Sequence, residues 1–305
     1  MSLQSKQAHN TCSRCSGAFI CQPDNIAHCD CTIIPLSAEE TRFISVQFRE
    51  CVCNACLLEL KALYHQSPKP KAIFCWSGGK DSAYALYQVI VENLYDVRYL
   101  LTTVNKTVGR VSMHGVREEL LQAQAEALGF PLLKVEVAEG SNEEYERQMQ
   151  AVLLQAKAEG IGHVIFGDIF LEDLRAYREA NLAKVNMEAV FPLWKADTTG
   201  QLHRFIDRQF KTIVCCTNDA YLGKAWVGRE IDQAFVNDLP QEVDPCGEHG
   251  EYHSFCYDGP VFRKALAVVT GEIVYKPLDL KLSASSPAGA PVTKGFWFID
   301  LLLKT

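Results

Sequence analysis

The sequence predicts an α/β protein: a parallel sheet with helices on both faces, a smaller α+β part at the C-terminus, and a small cysteine-rich module at the N-terminus. Three observations support this fold class. Apolar β-prone runs alternate with helical patterns from residue 71 to about residue 195, the pattern is less regular afterwards, and eight of the 13 cysteines lie within the first 56 residues. Strands that alternate with helices of this length imply βαβ crossovers, which build parallel sheets.

The N-terminal module is defined by its cysteine spacing, C-x2-C-x5-C-x7-C-x-C-x19-C-x-C-x2-C. Eight thiols are enough for two Zn²⁺ sites of four thiolates each. A disulfide framework and an iron–sulfur cluster are the weaker alternatives, and a cytoplasmic chain disfavours the first. Bound metal would supply folding free energy that so small a core lacks. The predicted ligands are Cys12, Cys15, Cys21, Cys29, Cys31, Cys51, Cys53 and Cys56.

The central region predicts four strand–helix pairs. The strands are "KAIFCW", "DVRYLLTTVN", "LLKVEV" and "HVIFGD", and Gly129 and Gly160 are stop signals for the second and third helices. Beyond Lys195, "GQLHRFIDRQF" predicts a helix and "KTIVCCTN" a strand, and we expect a turn at Gly271 between two antiparallel strands. The predicted boundaries are 1–66 for the module, 67–71 for the linker "SPKPK", 72–195 for the α/β domain and 196–305 for the C-terminal subdomain.

The composition limits the classes of partner. A net charge of −7 argues against a protein that coats nucleic acid through a basic surface, so we expect no nucleic-acid partner. No run approaches the ~18 apolar residues that a membrane span needs. The N-terminus "MSLQSKQAHNTCSRC" lacks the apolar region of a secretory signal. We therefore expect a cytoplasmic protein with no membrane partner, and we leave open whether it is a monomer or a homo-oligomer.

The stretch "SGGKDS" follows the first strand of the α/β region and opens a helix. It fits neither the Walker phosphate loop nor the dinucleotide-binding glycine pattern. Two glycines allow a sharp turn, and backbone N–H groups at a helix start together with a lysine ammonium form a cradle for pyrophosphate. The alternative is a plain Gly-Gly turn with a solvated lysine and an aspartate cap. The complete hexapeptide at this position favours the cradle, formed by Ser77, Gly78, Gly79, Lys80, Asp81 and Ser82.

This hexapeptide resembles the signature of the N-type ATP pyrophosphatases, the PP-loop proteins. The resemblance implies a Rossmann-like sheet of the HUP type, with ATP and Mg²⁺ bound by residues 72–195 and the substrate by residues 196–305. In that family a substrate oxygen attacks the α-phosphorus while the loop holds the leaving pyrophosphate. The family analogy puts adenine near Trp76, Thr103 and His114, although His114 could equally be a loop histidine with a structural partner, and it puts Gly167 beside the nucleotide. Asp168 just beyond the fourth strand is expected to position Mg²⁺ or substrate, its alternative role being a helix cap.

Three further stretches resemble the diphthine–ammonia ligases within that superfamily. They are "SMHGVREELLQAQAEALGFPL", "FGDIFLEDLRAYREANLAKVNMEAVFPLW" and "DPCGEHGEYHSFCYDGPVF", in the order the family has them. The resemblance implies adenylation of a carboxylate, on a small molecule or a protein, followed by displacement of AMP by ammonia. Because nothing resembles a glutaminase domain, free ammonia is the expected nitrogen donor. The N-terminal module is similar to the cysteine-rich CWC family, although "CDC" and "CVC" replace that family's Cys-Trp-Cys and Cys-Leu-Cys.

The stretch around residues 244–262 suggests chemistry without any family name. Glu248, Glu251 and His253 gather acid–base and cation-binding groups around two glycines, which suits ammonium, a cationic substrate group or a metal. The alternative is a polar turn with solvated glutamates. We assign catalytic roles to these three residues together with Lys80, Asp81 and Asp168, and leave open whether Cys246 takes part.

Two other functions compete with the ligase. A PP-loop tRNA thiolase also pairs zinc-binding cysteines with a nucleotide loop, but typically needs cysteines in the ATPase core, and no C-x-x-C pair occurs there. A non-catalytic nucleotide sensor with a zinc interaction module is the third candidate. An intact "GKDS" and an intact glutamate block argue against inactivity.

Overall fold

The structure is a computed structural model that describes residues 8–21, 29–111, 115–138, 142–278 and 292–304. The chain divides into two compact units, one formed by Met1–Lys69 with Tyr87–Tyr95 and the other by Pro70–Leu86 with Asp96–Thr305. None of the helices in the described ranges has the length and apolar character that crossing a membrane requires.

The first unit contains a two-stranded antiparallel hairpin and two helices. Strand β1 (Ala8–Thr11) pairs with β2 (Ala18–Cys21), and a short 3-10 helix precedes helices α1 (Ala38–Ser45) and α2 (Asn54–Tyr64). Because its core is small, each buried cysteine contributes a large share of the buried apolar surface. The buried residues of this core are Cys12, Phe43, Ile44, Val52, Cys56, Leu57 and Leu60.

Helix α1 starts at a capping box. The Ser37 hydroxyl accepts a hydrogen bond from the Glu40 backbone N–H at 3.2 Å, and the Glu40 carboxylate accepts one from the Ser37 N–H at 2.7 Å. Two of the helix's unsatisfied N–H groups are thereby paired. Glu40 is also buried and lies 2.6 Å from Nε2 of His65, just beyond α2. One carboxylate therefore starts α1 and joins it to the end of α2.

The second unit is built on a parallel sheet. Strands β3 (Lys71–Cys75), β4 (Asp96–Asn105), β6 (Leu132–Val137), β7 (His163–Ile165) and β8 (Glu188–Val190) follow the spatial order β6-β4-β3-β7-β8. A short strand, β5 (Arg110–Val111), pairs antiparallel with the end of β4. The helices of this region are α3 (Lys80–Glu92), which belongs to this unit only up to Leu86, α4 (Glu118–Leu128), α5 (Asn142–Ala158) and α6 (Glu172–Ala183).

Strand β3 lies at the centre of the sheet and supplies its most buried residues. Ala72, Ile73 and Phe74 are all inaccessible to solvent, which explains the continuous apolar run in the sequence. Chain order reverses on the two sides of β3, since β4 pairs on one side and β7 on the other. In open α/β sheets, ligands bind where the order reverses, beyond the carboxyl ends of the strands. The predicted α/β class with a parallel sheet is confirmed.

The C-terminal region forms a second, antiparallel sheet in the order β10-β9-β12-β11. Its strands are β9 (Lys211–Asn218), β10 (Tyr252–Asp258), β11 (Val268–Pro277) and β12 (Gly295–Leu303), accompanied by helices α7 (Thr198–Asp207) and α8 (Gln233–Asp238). The predicted α+β character of this part is confirmed.

The expected turn at Gly271 is wrong. Strand β11 runs straight through this glycine, and the pairing with β12 shifts register between Thr270 and Ile273. A glycine within a strand often marks a bulge of this kind rather than a turn. The partner of β11 is β12, from "GFWFIDLLL", a strand that the sequence pattern did not lead us to predict.

Candidate active site and cysteine cluster

The hexapeptide loop occupies the carboxyl end of β3, and α3 begins at its lysine. Gly78 has a φ of +83°, and a side chain there would approach Leu121 to 2.7 Å. Only glycine takes this conformation readily. The two serines close the loop, since the Ser77 hydroxyl donates to Ser82 Oγ at 3.1 Å and Ser82 donates to the Gly79 carbonyl at 2.9 Å.

Lys80 is buried, with 3% of its surface exposed, and its ammonium makes two hydrogen bonds. Nζ donates to Asp81 Oδ2 at 2.6 Å and to the carbonyl oxygen of Cys246, and lies 5.3 Å from the centre of the Tyr252 ring. Burial by itself lowers the pKa of Lys80, but the charge and hydrogen bond of Asp81, together with Tyr252 and Cys246, raise that pKa well above its usual value. The site therefore holds a permanent cation beside the loop.

Strand β10, at one edge of the C-terminal sheet, contacts the loop directly. The Ser254 hydroxyl accepts the backbone N–H of Lys80 at 3.1 Å, and the backbone N–H of Cys256 donates to the Gly78 carbonyl at 2.8 Å. Gln201 of α7 also donates to Asp81 at 3.3 Å. The loop and the segment that carries the predicted glutamates thus form one site.

The two predicted glutamates have different surroundings. Glu251 is fully buried, and its two carboxylate oxygens accept the backbone N–H groups of Asp244 and His249, each at 2.9 Å. Glu248 lines the cavity, where burial, reinforced by the charge of Asp81 and opposed by Lys80, raises its pKa to about 7. Glu251 is thus fully occupied in holding residues 244–251, while Glu248 is poised to exchange a proton near neutral pH.

Asp168 follows β7 and pairs with Arg178 of α6. Arg178 Nε lies 2.9 Å from Asp168 Oδ2, and its guanidinium lies 4.2 Å from the centre of the Phe166 ring. Burial raises the pKa of Asp168, and the arginine opposes that shift. The preceding Gly167 is small by necessity, because a Cβ would lie 3.1 Å from the backbone of Ser82. Asp168 is therefore an ion-paired carboxylate at the mouth of the loop, not a helix cap.

A single cavity of about 1190 Å³ brings most of the predicted residues together. Gly78 and Glu251 lie behind its wall, and His114 falls outside the described residues. Residues of this site that the sequence reasoning missed are Gln124, Gln201 and Ser254, and only Ser254 lay within a stretch singled out for its chemistry. The predicted residues that line the cavity are Ser77, Gly79, Lys80, Asp81, Ser82, Thr103, Gly167, Asp168, Glu248 and His253.

Four of the N-terminal cysteines form a compact cluster. The Sγ atoms of Cys12, Cys15, Cys53 and Cys56 all lie within 4.8 Å of one another, and those of Cys15 and Cys53 are 3.8 Å apart. Four sulfurs at the usual Zn–S length of about 2.3 Å around a tetrahedral ion are roughly 3.8 Å apart. Although burial opposes it, backbone N–H groups of Cys53, Cys15 and Arg14 lower the pKa of Cys12 to about 6. The donor set fits a zinc ion.

The other four cysteines of this module are also near one another. The sulfurs of Cys29 and Cys31 are 3.2 Å apart. Burial raises the pKa of Cys21, and the thiols of Cys29 and Cys51 raise it further. No disulfide forms among the cysteines that the structure describes. The module therefore contains two groups of thiols, of which the first has the tighter geometry.

The cysteines of the second unit have a different character. Burial raises the pKa of Cys75, Cys216 and Cys256 to about 12 in each case. Cys246 lines the cavity, but its thiol donates to the Thr198 carbonyl at 3.4 Å, and burial raises its pKa strongly. A thiol kept neutral in this way is a poor nucleophile.

Comparisons with known proteins agree with this geometry. Residues 70–189 match the diphthamide synthase N-terminal domain, residues 197–280 match its C-terminal domain, and residues 12–58 match the cysteine-rich CWC family. A diphthine–ammonia ligase from Mus musculus is 28% identical over 67% of this chain and 84% of its own length. The Homo sapiens enzyme is 26% identical over the same shares, and that of Danio rerio is 25% identical over 70% of this chain and 90% of its own.

Among solved structures, the U34-tRNA thiolase NcsA from Methanococcus maripaludis is similar over 65% of this chain and 71% of its own, at 12% identity and a TM-score of 0.30. A likeness of that degree supports no argument about function. The two matched domains contain all of the residues that line the cavity except Phe296 and Phe298, and they lie in consecutive order along the chain. The chain therefore belongs to the diphthamide synthase family and carries a cysteine-rich CWC domain at its N-terminus.

Proposed function

We propose that this protein is an ATP-dependent amide ligase that forms AMP and pyrophosphate while joining ammonia to a substrate carboxylate. One observation carries the proposal: the buried Lys80 of the pyrophosphate loop donates to the carbonyl oxygen of Cys246, in the segment that bears Glu248, and both segments line the cavity. A nucleotide site and an acid–base group thus share one cavity. The names of the relatives point to diphthine, the carboxylate that those enzymes amidate, as the acceptor.

In the first step, an oxygen of the acceptor carboxylate attacks the α-phosphorus of ATP, and the bond to the pyrophosphate breaks. Negative charge grows on the departing pyrophosphate next to the Lys80 ammonium and the N–H groups at the start of α3. Donors already in place when charge develops lower such barriers by about 3 kcal/mol each. Asp81 and Asp168 supply the oxygen ligands that Mg²⁺ prefers and would hold it, and the ion would neutralise phosphate charge when bound.

In the second step, the lone pair of ammonia attacks the acyl carbon of the adenylate, and AMP leaves with the bonding electrons. The nitrogen must lose a proton, and we assign Glu248 as its acceptor because its pKa lies near 7 and it lines the cavity. Glu251 acts by holding the loop through Asp244 and His249. His253, on the same cavity wall, contacts the acceptor in this assignment.

We further propose that the N-terminal module binds two zinc ions. The quartet of Cys12, Cys15, Cys53 and Cys56 would hold the first. The second would use Cys21, Cys29, Cys31 and Cys51, whose thiols influence one another. Both ions would have a structural role, since no ligand position remains open when four thiolates bind zinc.

The test measures AMP and pyrophosphate release from Mg-ATP and ammonium, with cell extract divided into small-molecule, protein and RNA fractions. We expect ammonium-dependent stimulation by the protein or small-molecule fraction. Lys80→Ala should abolish AMP formation and leave the zinc content unchanged, whereas Lys264→Ala, at an exposed lysine outside the cavity, should behave as wild type. Unimpaired AMP formation by Lys80→Ala would refute the loop assignment. Stimulation by RNA without ammonium would indicate a thiolase, and no turnover with any fraction a sensor.

A further inference from the structure

Gln124 on α4 is a buried amide in contact with the pyrophosphate loop. It has no exposed surface, and its side chain makes three hydrogen bonds, to the loop, to the residue just before the loop and to strand β10. Its Oε1 accepts the indole N–H of Trp76 at 2.9 Å. Its Nε2 donates to the carbonyl oxygens of Gly78 at 3.0 Å and of Cys256 at 2.6 Å. A buried amide with three bonds has a defined orientation, because each lost bond would strand a buried polar group.

These bonds fix one peptide plane of the loop. The Gly78 carbonyl accepts from Gln124 Nε2 and from the backbone N–H of Cys256, at 3.0 and 2.8 Å. In a trans peptide, the C=O and the following N–H point in opposite directions. Because the Gly78 carbonyl is held toward α4 and β10, the N–H of Gly79 points away from these two elements. That N–H donates to Ser77 Oγ at 3.3 Å, and both residues line the cavity, so this peptide presents the Gly79 N–H and the Ser77 hydroxyl together on the cavity side.

The contact between Gln124 and Gly78 is close as well as polar. A Cβ on Gly78 would lie 2.8 Å from Gln124 Oε1, so the left-handed glycine and the buried amide fit only as a pair. The network also joins three segments that are distant in sequence, namely the loop, α4 and β10. It crosses from the N-terminal synthase domain to the C-terminal one.

We propose that Gln124 is a positioning residue for pyrophosphate: it sets the Gly78–Gly79 peptide so that the Gly79 N–H faces the bound phosphates. Gln124 itself does not touch the nucleotide in this arrangement. The inference rests on the proposed function, because it assumes that the loop binds the pyrophosphate part of ATP. A residue that only supported the core would affect stability, whereas a positioning residue also sets phosphate affinity.

The test uses the full-length, zinc-loaded protein, with Kd for inorganic pyrophosphate and for Mg-ATP measured by calorimetry. Gln124→Met keeps the volume of the side chain but removes all three bonds. We expect the Kd for pyrophosphate to rise about tenfold or more, as the loss of an ordered N–H donor implies. Gln122→Met, on the same helix but bonded only to Glu126 near the surface, should retain the wild-type Kd.

A second control separates positioning from stability. Ile161→Ala truncates a buried side chain next to the amino end of β7, away from the loop, and should lower Tm while the Kd stays within about twofold of wild type. A folded Gln124→Met protein with wild-type affinity would overturn the inference, and so would an equal loss of affinity in Ile161→Ala. If the wild-type protein bound neither pyrophosphate nor Mg-ATP, the loop assignment itself would fail together with the inference.

Gln124→Glu carries the test if the methionine variant does not fold. Its carboxylate can accept from Trp76 but cannot donate to either carbonyl, whereas its protonated form has one O–H to donate. Burial would raise the pKa of this carboxyl, so its protonated fraction should grow as pH falls through the neutral range. We expect the Kd for pyrophosphate, taken relative to wild type at the same pH, to improve as pH falls from about 8 to about 6. A ratio that stays constant would contradict the donor role.

Discussion

At the scale of single residues, the pKa values of two groups in the site, Lys80 and Glu248, are both shifted upward. Lys80 stays protonated because Asp81 lies 2.6 Å from its ammonium, although burial alone would favour the neutral amine. Glu248 is shifted in the direction of its neutral form, because burial and Asp81 both disfavour its negative charge. One aspartate thus contributes to both shifts. The result is a fixed cation in the same cavity as a carboxyl that titrates at about pH 7.

This pair of shifts predicts a pH dependence. Because only the carboxylate of Glu248 accepts a proton, the ammonium-dependent rate should rise as pH increases through about 7. Glu248→Gln should lower the rate by about 10²-fold or more and remove that rise. The measurement is AMP release against pH at a fixed, saturating concentration of free ammonia, because the deprotonated share of ammonium itself rises with pH. A variant that retained the wild-type rate and pH profile would show that another group takes the proton.

The same shift has a consequence for stability. Since the folded pKa of Glu248 lies above its unfolded value, the folded state binds this proton more tightly, and stability falls as pH rises from about 4.5 to about 7. Glu248→Gln should therefore raise Tm relative to wild type at pH 8 more than at pH 5. Thermal unfolding at the two pH values measures it, and equal differences would contradict the raised pKa.

At the scale of elements, the start of α1 depends on a local sequence signal. "SAEE" provides the Ser37 cap and, three residues later, Glu40, and the structure contains both reciprocal bonds. Elements without such signals were harder to predict. Strand β11 continues through Gly271 because β12 pairs with it on either side of a bulge, and that pairing comes from a segment more than twenty residues away.

Ser37→Ala should lower the free energy of unfolding of the zinc-loaded first unit by about 1 kcal/mol, since it leaves the Glu40 N–H without its cap. Ser45→Ala, at the other end of α1, removes a hydroxyl that donates only to the Arg42 carbonyl at an exposed position and should change stability by less than about 0.5 kcal/mol. Urea unfolding followed by circular dichroism distinguishes the two variants. Equal effects would mean that the capping box contributes nothing specific.

At the scale of the whole molecule, a unit that contains the cysteine cluster and a unit that contains the hexapeptide loop share one chain. The first has a small apolar core into which Cys12 and Cys56 are packed. The second has a core of its own, centred on Ile73, Val164 and their neighbours, and has no need of metal for burial. Removal of zinc should therefore unfold the first unit selectively.

Metal analysis of the purified protein should find about two zinc ions per chain. Cys15→Ser and Cys31→Ser, one from each group of thiols, should each remove about one of them. Cys216→Ser, at a buried cysteine of the second unit, serves as the control and should leave the zinc content unchanged. A single zinc that survives Cys31→Ser would refute the second site.

The sequence alone determined the features that are local. Strand and helix periods, the stop at Gly129, the hexapeptide loop and the crowding of cysteines all lie within short windows, where side-chain spacing reports backbone structure directly. Residues that line the loop's own cavity, such as Lys80 and Asp168, were predictable for the same reason, since they follow buried parallel strands.

Only the tertiary structure decided which distant residues meet. It grouped Cys12 and Cys15 with Cys53 and Cys56, and it separated Glu251, which is occupied by backbone N–H groups, from Glu248, which lines the cavity. It also brought Gln124 to the loop. These pairings depend on chain segments that pack together across large sequence separations. Such pairs cannot be recognised from sequence periodicity. A buried polar group needs a hydrogen-bond partner, but that partner can come from any segment that the fold places beside it.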